Sequence, residues 1–420
     1  MVRVLSILSR DYSMVSDVGR KAIVSRWIKV LEARHDFSVF IPRMAIESGK
    51  ATMLGAIARR CLFGNEALQV ALFDTAENVS RLAQAIRESR PQVIHVDGGR
   101  LVPLLKRALA QCPGGREGYR IIVDIDDLMF RRYRIYKKLG LGLELGVLGE
   151  KLTAYTRFAG SAVSDGVLSL ESARMRRLEE SIVHFADDVV FSSDYERRLL
   201  AHLAGPRRAR LHRHVIGYNV APVTPRLDPQ TLRFAFIGGD KLSQNRLSIE
   251  GLIRIWKTYD IPHELLIIGK CHHTYEAHPR IKFTGFVEKL AEWYSKVDGL
   301  IIFSYVPGGL KTKIPEGLSF GLPAIVNRVA AEGVVGLEDY SFCFDESEMV
   351  EFLHSSPDEI RRRLAAERAR APEIAQKYWS STALEAFLHD LFKPASPSPT
   401  PSPRPVAASG PLVIAPAKAL

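Results

Sequence analysis

The segment Pro307–Asn327 reads PGGLKTKIPEGLSFGLPAIVN and comes after the apolar run Gly299–Ser304, GLIIFS. This order spells a strand, a glycine-rich loop, a short helix, a tight Gly-Leu-Pro turn and the next strand. A loop that feeds a helix N-terminus from a strand end is where parallel α/β sheets hold phosphate. Gly308 and Gly309 let the backbone approach a ligand closely. Leu310 and Thr312 share the loop with Lys311 and Lys313, which bring positive charge. Pro315 is tolerated only in the first turn of a helix, so it fixes where that helix begins. Glu316 then stands near the positive end of the helix. The helix dipole alone favours an acid there, and so does a role as an acceptor of ligand hydroxyls.

Outward from this segment the chain alternates short β-rich runs with helical patterns. Strands are expected at Val2–Leu8, Phe37–Ile41, Leu68–Phe73, Pro91–Val96, Arg120–Ile125 and within Ala186–Ser192. Helices are expected at Arg20–Glu32, Met53–Leu62, Ala76–Glu88 and Val102–Ala110, and Leu139–Leu203 is mostly helical in pattern. A second alternation starts at Leu232–Ile237 and runs through Leu247–Trp256, Glu264–Ile268, Ile281–Thr284, Val287–Lys296 and Gly299–Phe303. Such alternation predicts an α/β fold with two parallel, doubly wound domains. Residues 1–214 form the first, 215–231 a linker and 232–393 the second. The tail 394–420, PASPSPTPSPRPVAASGPLVIAPAKAL, is too rich in Pro and Ser to build a core and is expected to be disordered.

The segment Pro307–Asn327 resembles the nucleotide-sugar loop of GT-B glycosyltransferases, above all the retaining family-4 type. Those enzymes carry two Glu separated by seven residues, then a small helix and Gly-x-Pro-Val/Ile-Val. Glu316 matches the second Glu, and Gly321-Leu322-Pro323-Ala324-Ile325-Val326 matches the Gly-x-Pro element. Gly308 stands where the first Glu would be; a Gly-x-x-x-Lys-Ile-x-Glu version, as here, occurs in divergent relatives. The resemblance implies two Rossmann-like domains facing a cleft, with Glu316 accepting hydrogen bonds from ribose hydroxyls. Asp298, Glu332-Gly333, Ser192–Glu196 (SSDYE) and Asn219 match lesser family positions. They read first as structure, with Ser193 or Asp194 a good helix cap.

The chain has 420 residues and a net charge of +11, with a pI of about 9.5. That balance favours an anionic partner. No zinc-finger spacing, RNP-like aromatic motif or repeat points to nucleic acid. No apolar run approaches the roughly 18–20 residues that span a bilayer, and MVRVLSILSR reads as a first strand rather than a signal peptide. Cys61, Cys112, Cys271 and Cys343 show no paired spacing, which suits free thiols in a reducing cytoplasm.

Four further groups carry candidate chemistry. Phe236–Arg246 places Gly238-Gly239 between a strand and a helix. In the resembling family an Arg and a Lys clamp the diphosphate here; this chain has Asp240 and Asn245, with Lys241 and Arg246 as candidate substitutes. Asp124, Asp126 and Asp127 end a strand. Three carboxylates suit a divalent cation, but the resemblance implies a fold that works without a metal, and it makes Asp126 or Asp127 an acceptor-side candidate. Helix capping by Asp127 is the alternative. Arg131–Lys138 (RRYRIYKK), followed by LGLGLELGVLG, suits an anionic membrane surface or simply a solvated basic loop beside a core helix. Cys271-His272-His273 with His278 are ligand types whose adjacency is wrong for tetrahedral zinc.

These features lead us to expect a glycosyltransferase without cofactor or metal. It would move a sugar from a nucleotide-sugar donor to a glycan or lipid-linked acceptor, with retention, in cell-surface polysaccharide or glycolipid synthesis. Glu316, Lys311, Lys313, Asp126 and Asp127 are the catalytic candidates. Gly238, Gly239, Lys241, Asn245, Arg246, Gly308, Gly309, Leu310 and Thr312 are the binding candidates. An inverting reaction would need a base, for which Asp126, Asp127 or His35 are open. A nucleotide-sugar 2-epimerase and a non-catalytic sugar-nucleotide binder or scaffold are the competing readings.

Overall fold

A computed structural model describes residues 1–12, 19–45, 47, 49–141, 161–204, 209–224, 231–338 and 340–393. The expected disordered tail, part of the linker and most of the apolar stretch after Lys138 lie outside these residues. Two parallel sheets form the frame. The first has the order β2-β1-β3-β4-β5-β6, from β1 (Arg3–Leu8), β2 (Asp36–Phe40), β3 (Val93–Asp97), β4 (Arg120–Ile125), β5 (Asp188–Phe191) and β6 (Arg210–Arg213). The second has the order β11-β10-β7-β8-β9, from β7 (Arg233–Ile237), β8 (Glu264–Ile268), β9 (Ile281–Gly285), β10 (Gly299–Ile302) and β11 (Ala324–Val326). The order reverses between β1 and β3 in one sheet and between β7 and β10 in the other. Ligands bind outside the carboxyl ends of strands at such points.

Central strands are buried on both faces, which is why they read as continuous apolar runs. Every residue of β3 is buried, including His95 and Asp97. The Nδ1 of His95 is hydrogen-bonded to the Ser6 hydroxyl at 2.8 Å. One expectation changes, and one strand is new. Leu68–Phe73 is not a strand: Leu68–Ala71 is a helical turn, because the Glu171 carboxylate accepts the Leu68 N–H at 2.7 Å from a distant helix. Tertiary contact here overrides β-propensity. The basic run before the linker holds β6, whose Arg210 and His212 both reach the Asp188 carboxylate at 2.8 Å.

The last helix, Ser381–Leu391, crosses back onto the N-terminal domain and lies against helix Gly19–Arg34. Arg34 pairs with Glu385 at 2.6 Å. Trp27 is the centre of this junction. Its ring stacks on His214 at 4.7 Å, meets Phe387 edge-on at 5.8 Å, and its indole N–H donates to the Val215 carbonyl at 3.3 Å. Trp27→Ala should therefore cost about 3–5 kcal/mol of stability, read as a lower urea midpoint. A loss below about 1 kcal/mol would show that the junction does not depend on this ring.

Candidate active site

Segments leaving the strand ends of both sheets meet across one cleft. On the C-terminal side the loop after β10 turns at Gly308 and Gly309, with φ of 99° and 62°. Lys311 donates to the Gly308 carbonyl at 2.6 Å. The Thr312 carbonyl accepts the Tyr218 hydroxyl at 3.0 Å. Leu310 packs on the C-terminal core. Helix Lys313–Ser319 then starts, with Pro315 and Glu316 in its first turn.

Lys313 ties this loop to the turn after β7. Its ammonium lies 3.2 Å from Asn245 Oδ1 and 4.2 Å above the Phe236 ring. Asn245 donates in turn to the Gly239 carbonyl at 3.0 Å. A Cβ on Gly238 would stand 2.9 Å from Asn245 Nδ2 and 3.1 Å from Lys313 Nζ, so a glycine is needed for this approach. Burial and the neighbouring Lys311 push the Lys313 ammonium down to about 7. Burial and Arg132 push Lys311 down to about 8. The half-buried Glu316 carboxyl is raised by burial, against the pull of Arg26 and Lys313.

Gly238, Gly239, Asn245, Lys313 and the Gly308–Thr312 loop thus come together. Lys241 is exposed and Arg246 turns away toward His273 Nε2 at 3.4 Å. Asp240 is fully buried and organises the Cys271–His273 loop, accepting the His272 and His273 N–H groups at 2.7 and 2.8 Å. These bonds hold its carboxyl at about 2 despite burial. Asp240 is therefore a clamp for this loop.

On the N-terminal side, Asp127 pairs with Arg132 and lies so close to Gly309 that a Cβ there would overlap its carboxylate. Asp126 is part-exposed, with Arg20 Nη1 at 3.7 Å. Desolvation and the neighbouring Asp127, Asp124 and Asp97 raise its carboxyl. Asp124 accepts from Arg20 at 2.6 Å. Each carboxylate of the triplet thus faces a guanidinium, and no group of three or more metal-ligand side chains occurs among the described residues. His35 sits at the opposite end of the sheet, before β2 and beside Phe392, so it is no base for this cleft.

Several residues of the site escaped sequence reasoning. Arg20 is buried and binds both Asp97, at 2.5 Å, and Asp124. Arg26 covers the Tyr218 ring at 4.5 Å. Glu196 accepts the Gly309 N–H at 3.3 Å and lies 3.3 Å from where a Gly308 Cβ would stand. The acid that Gly308 cannot supply is thus present beside the loop, delivered from the other domain. Burial and Asp127 raise the Glu196 carboxyl. Arg131 pairs with Glu332 at 2.5 Å across the cleft. Ser193 does precede a helix, but its hydroxyl has no hydrogen-bond partner among the described residues and lies against Gly333.

Known protein families divide along the same boundary. The family model described as glycosyl transferase 4-like domain matches residues 19–217, and that described as glycosyl transferases group 1 matches 224–354. The chain belongs to the group 1 glycosyltransferases of GT-B fold. No curated protein matches the chain by sequence. Sucrose-phosphate synthase from Thermosynechococcus elongatus shares the fold at a TM-score of 0.64 and 14% identity, over 93% of this chain and 98% of its own. Anabaena Alr3699/HepE, solved with UDP and glucose, gives 0.57 at 11% over 93% and 99%. The lipopolysaccharide outer core galactosyltransferase WaaB gives 0.56 at 11% over 93% and 99%. At such identities these structures establish the fold alone.

Arg20 gives a prediction with a defined pH dependence. Burial would raise Asp97 and Asp124; Arg20, helped by the Tyr12 hydroxyl at Asp97 and by His214 and His95 at Asp124, outweighs it and holds both below the ordinary carboxylate range. Their contribution is therefore present above about pH 4 and is lost as pH falls toward their native values. Arg20→Met should destabilise by about 3–5 kcal/mol at neutral pH, since it leaves two buried carboxylates uncompensated. The deficit should shrink below about pH 4. Denaturant titrations at several pH values that show a constant deficit would refute this account.

Proposed function

We propose that this group 1 glycosyltransferase moves a hexose from a nucleotide-sugar donor to a glycan or lipid-linked acceptor, with retention at the anomeric carbon. The observation that carries the reading is the single cleft in which Glu316, Lys311 and Lys313 face Asp126 and Asp127. Glu316 would accept hydrogen bonds from the ribose. The two ammonium groups and the N–H groups of the Gly308–Gly309 turn would stabilise the departing nucleoside diphosphate as charge develops on it. Retention needs no strong enzymic base, and both aspartates face arginines rather than standing free. The fold neighbour from Anabaena binds UDP and UDP-glucose, so UDP is the first leaving group to test.

A role in cell-surface polysaccharide or glycolipid synthesis, at the cytoplasmic membrane face, goes with this reading. Its support on helix Met129–Lys138 is narrower than the sequence suggests. Arg131 and Arg132 turn inward to Glu332 and Asp127, leaving Arg134, Lys137 and Lys138 exposed. Among the described residues no helix is long and apolar enough to cross a membrane. The second reading, a sugar-nucleotide binder without turnover, is favoured by Gly308 and Asp240 standing where the family carries Glu and Arg.

The test is a thermal-shift screen against nucleoside diphosphates and their sugar conjugates, followed by transfer assays and NMR of the product anomer. Selective stabilisation that falls about tenfold or more in affinity in Glu316→Ala is expected, the loss of hydrogen bonds to a charged group. A folded protein that responds to no nucleotide would end the donor-site reading. Binding without transfer would favour the scaffold.

The lysines add a pH signature. An anion favours the charged form of Lys313, which is pushed down to about 7 in the free protein. Binding should then take up protons, and affinity should fall as pH rises from about 7 to 9, by at most about tenfold per pH unit for each proton. The terminal phosphate, with its second pKa near 6, is already ionised there. Calorimetry should show the slope reduced in Lys313→Met; an unchanged slope would show that Lys313 does not meet the diphosphate.

A further inference from the structure

We propose that the pocket at the β1, β3 and β4 ends of the N-terminal domain binds a phosphoryl group carried by the acceptor. This rests on the reading that the acceptor occupies that domain, and it names what the acceptor must carry. Arg10 after β1, Arg100 after β3 and Arg132 after β4 line one cavity, together with Asp126, Glu179 and, from the C-terminal domain, Gln244. Its wall continues through Asp127 to Gly309, so a molecule anchored there lies next to the donor loop.

The cations of this cavity are not matched one to one by its acids. Every acid is already engaged. Asp127 pairs with Arg132, Asp126 faces Arg20, and Glu179 accepts the Met129 N–H at 2.7 Å and the Phe130 N–H at 3.3 Å. Arg10 and Arg100 pair with no carboxylate among the described residues; Arg10 instead lies over the Tyr12 ring, at 5.7 Å. The Nε of Arg132 is buried and has no hydrogen-bond partner among the described residues. Gly98, at φ 101°, supplies the left-handed turn that leads the chain from β3 into Arg100. Two like charges held in one partly dry pocket repel each other, and burial with Arg10 nearby lowers the Arg100 pKa. A phosphoryl group relieves this, because its oxygens accept guanidinium forks from several directions.

Phosphate can arrive on a soluble sugar phosphate or on a lipid phosphate, and the probes separate the two. The full chain, saturated with its nucleoside diphosphate, is titrated with glucose 6-phosphate, a short-chain prenyl phosphate, glucose and glucuronate. At least one phosphorylated probe should bind about tenfold or more tighter than glucose and glucuronate. Arg10→Gln and Arg100→Gln should each weaken that probe about tenfold, Arg100→Lys less so, while nucleoside diphosphate binding stays within about twofold. Circular dichroism melts check that each variant is folded. Equal binding of phosphorylated and neutral probes overturns the proposal. So does glucuronate binding as tightly, or phosphate binding that survives Arg100→Gln. A parallel loss of nucleoside diphosphate binding in Arg100→Gln would assign these arginines to the donor and also overturn it. Failure of the wild type to bind any nucleoside diphosphate sinks the donor reading instead, and the arginine variants, titrated without nucleotide, still decide this one.

Discussion

The buried contact of Arg20 with Asp97 and Asp124 is the constraint on which the cleft depends. A guanidinium so deep is tolerable only because two carboxylates from adjacent strands meet it. Those strands, β3 and β4, bring the carboxylates to the same end of the sheet. Arg20 lies on helix Gly19–Arg34, so the ion pairs fix how that helix lies over the sheet. The rest of the helix inherits this placement. Gly19 abuts the Thr312 side chain, Arg26 covers Tyr218, and Trp27 holds His214 and Phe387. One buried charge therefore positions the first domain, the linker and the returning C-terminal helix against one another.

The two domains then build the site jointly. Asp127 fills the space beside Gly309, and Ser193 the space beside Gly333. Both glycines have left-handed φ, 62° and 74°, and at both a side chain would overlap the opposite domain. The loops are shaped by what faces them as much as by their own turns. The Arg131–Glu332 pair and the Glu196 contact with Gly309 lie in the same seam. A change in the spacing of the domains would thus alter the Gly308–Thr312 loop directly.

The fold was largely legible because parallel strands buried on both faces leave continuous apolar runs, and Pro307–Asn327 carries its turn chemistry in consecutive residues. What escaped has a common cause. Arg20 meets its partners 77 and 104 residues further along the chain, and no local spacing encodes that. Arg131 looked like part of a solvated or membrane-facing patch, since its carboxylate partner, Glu332, comes from the other domain. Leu68–Ala71 had strand-like composition but took its geometry from Glu171. The candidate site was half legible: Gly238, Gly239 and Lys313 do gather around Asn245, whereas Arg246 turns toward His273.

The departures from the family pattern are physically coherent with one another. Asp240 does not replace an anion-binding arginine with a repelling acid in the cleft, because its charge is absorbed by the His272 and His273 N–H groups and the Tyr275 hydroxyl. The lysines meanwhile sit in the loop with partners that are mostly neutral: a backbone carbonyl for Lys311, and an amide oxygen and an aromatic face for Lys313. Burial, with Arg132 beside Lys311 and Lys311 beside Lys313, depresses their ammonium groups toward neutrality. A folded protein that leaves two half-buried cations so poorly compensated is destabilised by them. An anionic ligand entering the loop would remove this penalty, and on the proposed reading the cost of holding these charges in the free protein would become selectivity for a negatively charged leaving group.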